Sequence, residues 1–117
     1  MKYILALDDS IHLLETFELV LKMQGYEFKG VLTDNLFFDA LEQRKPDLIL
    51  LDIQIGNING KDLCKRIKEQ ENCSHIPIIL VSGHSSQLQN YTECGANATL
   101  AKPFGLSELL NVIHQFL

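Results

Sequence analysis

The feature that most restricts this chain is an alternation. Short apolar runs, Tyr3 to Leu7, Tyr26 to Leu32, Leu48 to Leu51, Ile76 to Val81 and Ala98 to Ala101, take turns with segments of helical patterning. Repeated strand-helix-strand units close only as crossovers, so the order predicts an α/β protein: a doubly wound parallel sheet with helices on both faces. The third and fourth runs are almost continuously apolar, as strands buried on both sides must be. Tyr26-Glu27-Phe28-Lys29 alternates apolar with charged residues and predicts an edge strand with one wet face. No repeat, low-complexity stretch or linker interrupts the pattern, and 117 residues suit one domain over 1–117.

Two helices are sharply punctuated. After Ser10 as N-cap, Ile11, Leu14, Phe17 and Leu21 recur at helical spacing until Gly25 stops them. Leu106, Leu109, Leu110, Ile113 and Phe116 give an equally clear closing stripe. His84 to Glu93 is rich in Ser, Gln, Asn and Thr and predicts only a short or frayed helix.

Composition removes several classes of function. An apolar content of 46% with 21% charged residues excludes a disordered chain. Cys64, Cys73 and Cys94 are irregularly spaced with no CxxC pair, which argues against a disulfide framework or a zinc knuckle, and Cys73 with His75 supplies too few ligands for a metal. A net charge of −5 without a basic cluster argues against direct nucleic-acid binding. Met1 to Leu7 leads straight into Asp8-Asp9 with no signal peptide, and no apolar run reaches membrane-spanning length, so no membrane association and a cytoplasmic location are expected.

In an open α/β sheet, ligands bind beyond the carboxyl ends of the strands. The first run ends in Asp8-Asp9, the third in Asp52, the fourth in Ser82 and the fifth in Lys102. Right-handed crossovers bring these ends to one edge of the sheet. Three converging carboxylates raise one another's pKa values, and a divalent cation relieves that repulsion; all-oxygen ligation suits Mg²⁺. Asp52 then reads as a carboxylate nucleophile toward a phosphoryl group, Lys102 as a neutralising cation and Ser82 as a hydroxyl donor.

With these residues the chain resembles, over nearly its whole length, the receiver domains of two-component response regulators, in the manner of stand-alone chemotaxis regulators. The resemblance rests on Asp8-Asp9, on Asp47-Leu48-Ile49-Leu50-Leu51-Asp52 followed by Gly60, on Ser82, and on Gly95-Ala96-Asn97 through Lys102-Pro103-Phe104. It implies a flavodoxin-like fold with strand order 2-1-3-4-5. It also implies phosphoryl transfer from a histidine kinase or phosphotransfer protein onto Asp52, a changed face for a downstream protein target or a second copy in a homodimer, and no enzymatic turnover of its own. Mg²⁺ would be bound directly by Asp9 and Asp52, mainly through water by Asp8, and by the backbone carbonyl of Gln54. The Lys102-Pro103 bond would be cis. The chain departs from the family at Thr99, where an aromatic switch residue is usual, at Gly56, where a proline is common and a looser loop is expected, and between Ser82 and Gly95, which is short. These departures bear on the output switch rather than on the chemistry.

Other classes fit less well. An aspartate-nucleophile phosphohydrolase of the haloacid dehalogenase type needs a second acid two positions after the nucleophile, where Asp52 is followed by Ile53-Gln54 and Asp8 by Asp9-Ser10. Gly56 to Lys61 is one residue short of a P-loop and Asp62 stands where Ser or Thr is required. A flavodoxin-like electron carrier needs a Ser/Thr/Gly-rich phosphate loop after the first strand. The remaining alternative is a receiver-like interaction module whose output does not depend on phosphorylation.

Overall fold

The computed structural model describes residues 1–117. Its elements, in chain order, are β1 (Tyr3–Leu7), α1 (Ile11–Met23), β2 (Glu27–Val31), α2 (Asp34–Gln43), β3 (Leu48–Asp52), β4 (Gln54–Ile55), β5 (Ile58–Asn59), α3 (Gly60–Glu69), β6 (Ile78–Ser82), β7 (Ala98–Ala101) and α4 (Leu106–His114). Five strands form one parallel sheet in the order β2-β1-β3-β6-β7, and β4 and β5 form a separate two-stranded hairpin. The expected flavodoxin-like order 2-1-3-4-5 is thus present, with the hairpin inserted after the third sheet strand. β2 lies at an edge, as its alternation predicts, and β1, β3 and β6 are buried along their whole length.

Strand residues alternate between two cores because successive side chains point to opposite faces. Ile4, Ala6, Leu48, Leu50, Ile79, Val81 and Leu100 meet α1 through Leu14, Phe17 and Leu21, and α4 through Leu109, Val112 and Ile113. Leu5, Leu7, Ile49, Leu51, Ile78 and Leu80 meet α2 through Phe37, Ala40 and Leu41, and α3 through Leu63, Cys64 and Ile67. Caps fix where the helices begin: the Ser10, Thr33 and Asn59 side chains accept hydrogen bonds from the N–H groups of Leu13, Leu36 and Lys61.

Two expectations take a more specific form in the structure. The segment after β6, expected as a short or frayed helix, is two short 3₁₀ turns, Ser85–Leu88 and Tyr91–Cys94, separated by Asn90 in the left-handed region at φ 56°. Its residues against the core, Leu88, Tyr91 and Cys94, recur every three positions, matching three residues per turn rather than 3.6. The loop at Gly56, where a proline is absent, forms a tight turn. Gly56 adopts φ +58°, which lets the two-residue turn Gly56-Asn57 close β4 onto β5.

Candidate functional site

The sheet register assembles the site. Leu7 pairs with Leu51, Asp52 with Val81 and Ser82 with Ala101, so Asp8, Asp52, Ser82 and Lys102 emerge in adjacent positions at the carboxyl edge. They border an open polar pocket of about 400 Å³, lined by Asp9, Asp52, Gln54, Gly56, Ser82, Gly83, His84 and Lys102, none of them hydrophobic. Asp8 lies beneath it, only 2% exposed.

Each carboxylate is held differently. Asp8 accepts the Ser10 N–H at 2.9 Å through Oδ1 and the Lys102 ammonium at 3.2 Å through Oδ2. Lys102 Nζ also lies 3.6 Å from Asp52 Oδ2, and the Gln54 N–H reaches Asp52 Oδ1 at 3.4 Å. Asp9 is exposed, and its Oδ2 accepts the Gly56 N–H at 3.4 Å, tying the first loop to the hairpin.

Gly60 sets the position of Asp52 from behind. A Cβ there would fall 2.1 Å from the Asp52 carbonyl oxygen and 2.7 Å from the Ile53 Cα, and the Gly60 N–H donates to the Ile53 carbonyl at 2.5 Å. The start of α3 therefore lies directly against the end of β3, an approach open only to glycine.

Burial, then the neighbouring charge of Asp8, push the Asp52 carboxyl up to about 6; Lys102 and the Gln54 N–H oppose the rise, and Asp9 adds to it. Between the ordinary carboxylate value and about 6, the folded protein therefore binds more protons than the unfolded chain, and stability falls as pH rises through this window. Without divalent cations, the wild type is expected to be about 2 kcal/mol less stable at pH 7.5 than the variant Asp52→Asn, the ceiling of ~3 kcal/mol being reduced by water in the pocket. The two should converge near pH 4. Urea denaturation at both pH values checks this, and a gap that does not shrink on acidification would contradict it.

The donor set fits a hard divalent cation. Ligand atoms of Asp8, Asp9 and Asp52 all lie within 4.8 Å of one another. Three carboxylate charges against one Lys102 ammonium leave two uncompensated, the charge of a single such ion. Oxygen donors of this kind suit Mg²⁺.

Ser82 is engaged elsewhere than its sequence position suggests. Its hydroxyl contacts Gln87 Oε1 at 2.6 Å and accepts the His84 N–H at 3.0 Å, so it is tied to the first 3₁₀ turn. Sequence reasoning singles out neither Gln87 nor Lys61, whose ammonium donates to the Gln89 carbonyl at 2.9 Å and joins the same segment to α3. A polar residue in a polar stretch carries no periodic signal that could mark either contact. The Lys102-Pro103 bond is cis, as the resemblance implies, and Phe104 stacks on Phe17 of α1 at 5.9 Å between ring centroids.

Comparison with known proteins agrees with this geometry. The response regulator receiver domain family matches residues 4–114, and the chain belongs to it. Domains of this family are signalling modules of two-component systems that bind Mg²⁺ at an acidic pocket and interact with histidine kinases or phosphotransfer proteins and with output domains. Among curated relatives, the phosphate regulon transcriptional regulatory protein PhoB of Pseudomonas aeruginosa is 34% identical over 111 residues, covering 93% of this chain and 48% of the relative. The polar-differentiation response regulator DivK of Brucella ovis is 25% identical over 118 residues, covering 99% of this chain and 96% of DivK. The chain spans about half the length of the first curated relatives it matches. Among solved structures, the receiver domain of a signal transduction histidine kinase from Syntrophus aciditrophicus superposes with a TM-score of 0.89 at 27% identity, covering 100% of this chain and 90% of that one. The chemotaxis protein CheY4 of Vibrio cholerae shares the fold, with a TM-score of 0.92 at 24% identity, covering 100% of this chain and 99% of that one. No helix is long and apolar enough to cross a membrane.

Proposed function

We propose that residues 1–117 act as one receiver domain that accepts a phosphoryl group on Asp52 from a phosphohistidine of a histidine kinase or phosphotransfer protein, and then changes the face it offers a downstream protein. The observation that carries this reading is Asp52 itself: a carboxylate 5% exposed, at the end of a central strand, with Lys102 3.6 Å away and two further acids beside it. One Asp52 oxygen attacks phosphorus, the O–P bond forms, and the N–P bond to the donor imidazole breaks. Asp52 is ionised at neutral pH, the form that attacks, and a cation bound beside it would lower its raised carboxyl further into that form. Lys102 neutralises charge on the transferring group. Asp8 holds Lys102 in place from below, and Gln54, through its N–H, orients Asp52. Asp9 and Asp52, with Asp8 and the Gln54 carbonyl beside them, would hold Mg²⁺, which would supply charge neutralisation for a dianionic group.

Output then runs through Ser82. A hydroxyl turned toward a phosphoryl oxygen leaves Gln87, and the turn Ser85–Leu88 loses that anchor. Thr99 is too small to supply an alternating ring, so the change concentrates in Ser82 to Cys94 and reaches α3 through the Lys61 contact to Gln89. Exchange is expected to change by about tenfold across Ser85 to Glu93 with beryllofluoride bound. Changes confined to Leu100 to Leu117 would defeat this route.

The reading as a whole is tested by incubation with Mg²⁺ and acetyl phosphate, followed by intact mass. A gain of one phosphoryl group supports it. No gain, in a folded protein, favours the interaction module that works without phosphorylation. The net charge of −5 supports a protein partner over a nucleic acid, and we place the phosphoryl transfer in the cytoplasm.

A further inference from the structure

We propose that Cys64 and Cys94 are a disulfide-forming pair, a modification site that pins the two 3₁₀ turns to α3. Cys64 is fully buried on the inner face of α3, and Cys94 is half-buried at the end of the second turn. The Cys64 thiol donates to the Cys94 carbonyl at 3.4 Å although the two residues are 30 apart in sequence, and the Cys94 thiol donates to the Tyr91 carbonyl at 3.2 Å. The Lys68 side chain closes the same corner. A Cβ on Gly95 would lie 2.9 Å from its Cγ, and its ammonium, which favours thiolate at Cys64, holds the Ile76 and Ser74 carbonyls and Asn97 Oδ1 but no carboxylate.

The pair is asymmetric, which orders the chemistry. Cys94 is the thiol a small oxidant reaches first. A peroxide oxidises it by two electrons to the sulfenic acid and is itself reduced to water. The Cys64 sulfur then attacks the Cys94 sulfur, the S–S bond forms, and the sulfenic hydroxyl leaves with the Cys64 proton as a second water. In sum, two thiols and one hydrogen peroxide give one disulfide and two waters. Burial pushes the Cys64 thiol up to about 12, which makes the closing step slow and protects Cys64 from oxidation on its own. The backbone shift that brings the two sulfurs to bonding distance falls on the 3₁₀ turn before Gly95, which is short and held to the core only by Tyr91 and Cys94. The Cys73 thiol is engaged otherwise, facing Gln70 Oε1 and Asn72 Oδ1.

The consequence follows from what the bond spans. A crosslink from α3 to Cys94 restrains the segment that carries Gln87, and so holds it whether or not Ser82 lets go; this part rests on the phosphoryl-switch reading, whereas disulfide formation does not.

The test treats the reduced protein with excess hydrogen peroxide. The expected product loses the mass of two hydrogens, keeps only Cys73 open to alkylation after denaturation, and joins the Cys64 and Cys94 peptides in a non-reducing map. Dithiothreitol should reverse it. Cys94→Ser, at a half-exposed position, should give no crosslink, and Cys73→Ser should behave as wild type. Oxygen added at Cys94 without a crosslink, or a disulfide joining two chains, would overturn the proposal. In the oxidised protein, exchange across Ser85 to Cys94 should slow by about tenfold, and unchanged exchange would overturn the pinning. Failure of the reduced protein to take phosphate from acetyl phosphate would count against the phosphoryl reading alone and leave the crosslink result standing.

Discussion

Replacing Asp52 by asparagine is expected to abolish phosphorylation altogether: with Mg²⁺ and acetyl phosphate the variant should gain no phosphoryl mass over a period in which the wild type is fully converted. The amide has nearly the shape of the carboxylate, so the pocket, the Gln54 N–H and the Asp8 to Lys102 ion pair remain, and what disappears is the nucleophile. The same variant should be more stable than wild type without Mg²⁺, because a carboxylate charge disfavoured by burial and by the neighbouring Asp8 is gone. That opposite effect on stability separates loss of chemistry from loss of fold. A variant that takes up phosphate at the wild-type rate would move the acceptor role to another residue.

Gly60→Ala is expected to be the most damaging single methyl group in the domain. The added carbon would meet the backbone of Asp52 and Ile53, not the end of a flexible side chain, so no rotamer change relieves it; β3 and α3 must separate. A cost of about 3 kcal/mol in urea denaturation is expected, with a phosphorylation rate reduced by roughly 100-fold in whatever fraction folds, because Asp52 is displaced relative to Lys102. Gly83→Ala is the matched control. Nothing lies within 4 Å of a Cβ there, and a change within about 0.5 kcal/mol is expected. Equal effects at the two glycines would mean that the contact between α3 and β3 is not a constraint on the site.

The sheet and the acid cluster were legible in the sequence for one reason: both follow from strands. A parallel strand buried on two faces must be a continuous apolar run, and the residue where the run stops must lie at the functional edge, so Asp8, Asp52, Ser82 and Lys102 mark themselves. The element bounds moved by a residue or two. Asp52 and Ser82 close their strands rather than following them, and Tyr26 precedes β2. What was not legible depends on contacts that leave no period. The hairpin at Gln54 to Asn59 comes from one positive φ, the 3₁₀ turns from a spacing of three that reads as a weak helix, and the Gln87 and Lys61 contacts from polar side chains among many. The closeness of Cys64 and Cys94 arises only once α3 and the segment before β7 are packed on the same face.

The anchoring of Lys102 against that of Ser82 has a consequence for how such a chain can change over generations. Lys102 is followed within two residues by Phe104 stacked on Phe17, so its backbone is tied to the core under α1, and substitutions that loosen it also cost stability. Ser82 is continued by Gly83 to Gln89, where side chains are exposed or half-exposed and Leu88 alone packs against the core. Substitutions there are nearly neutral for folding and free to alter what the surface recognises. Mutational drift should therefore gather on Gly83 to Asn90 while Lys102, Pro103 and Phe104 stay fixed, so that new partners can be acquired without rebuilding the acid pocket.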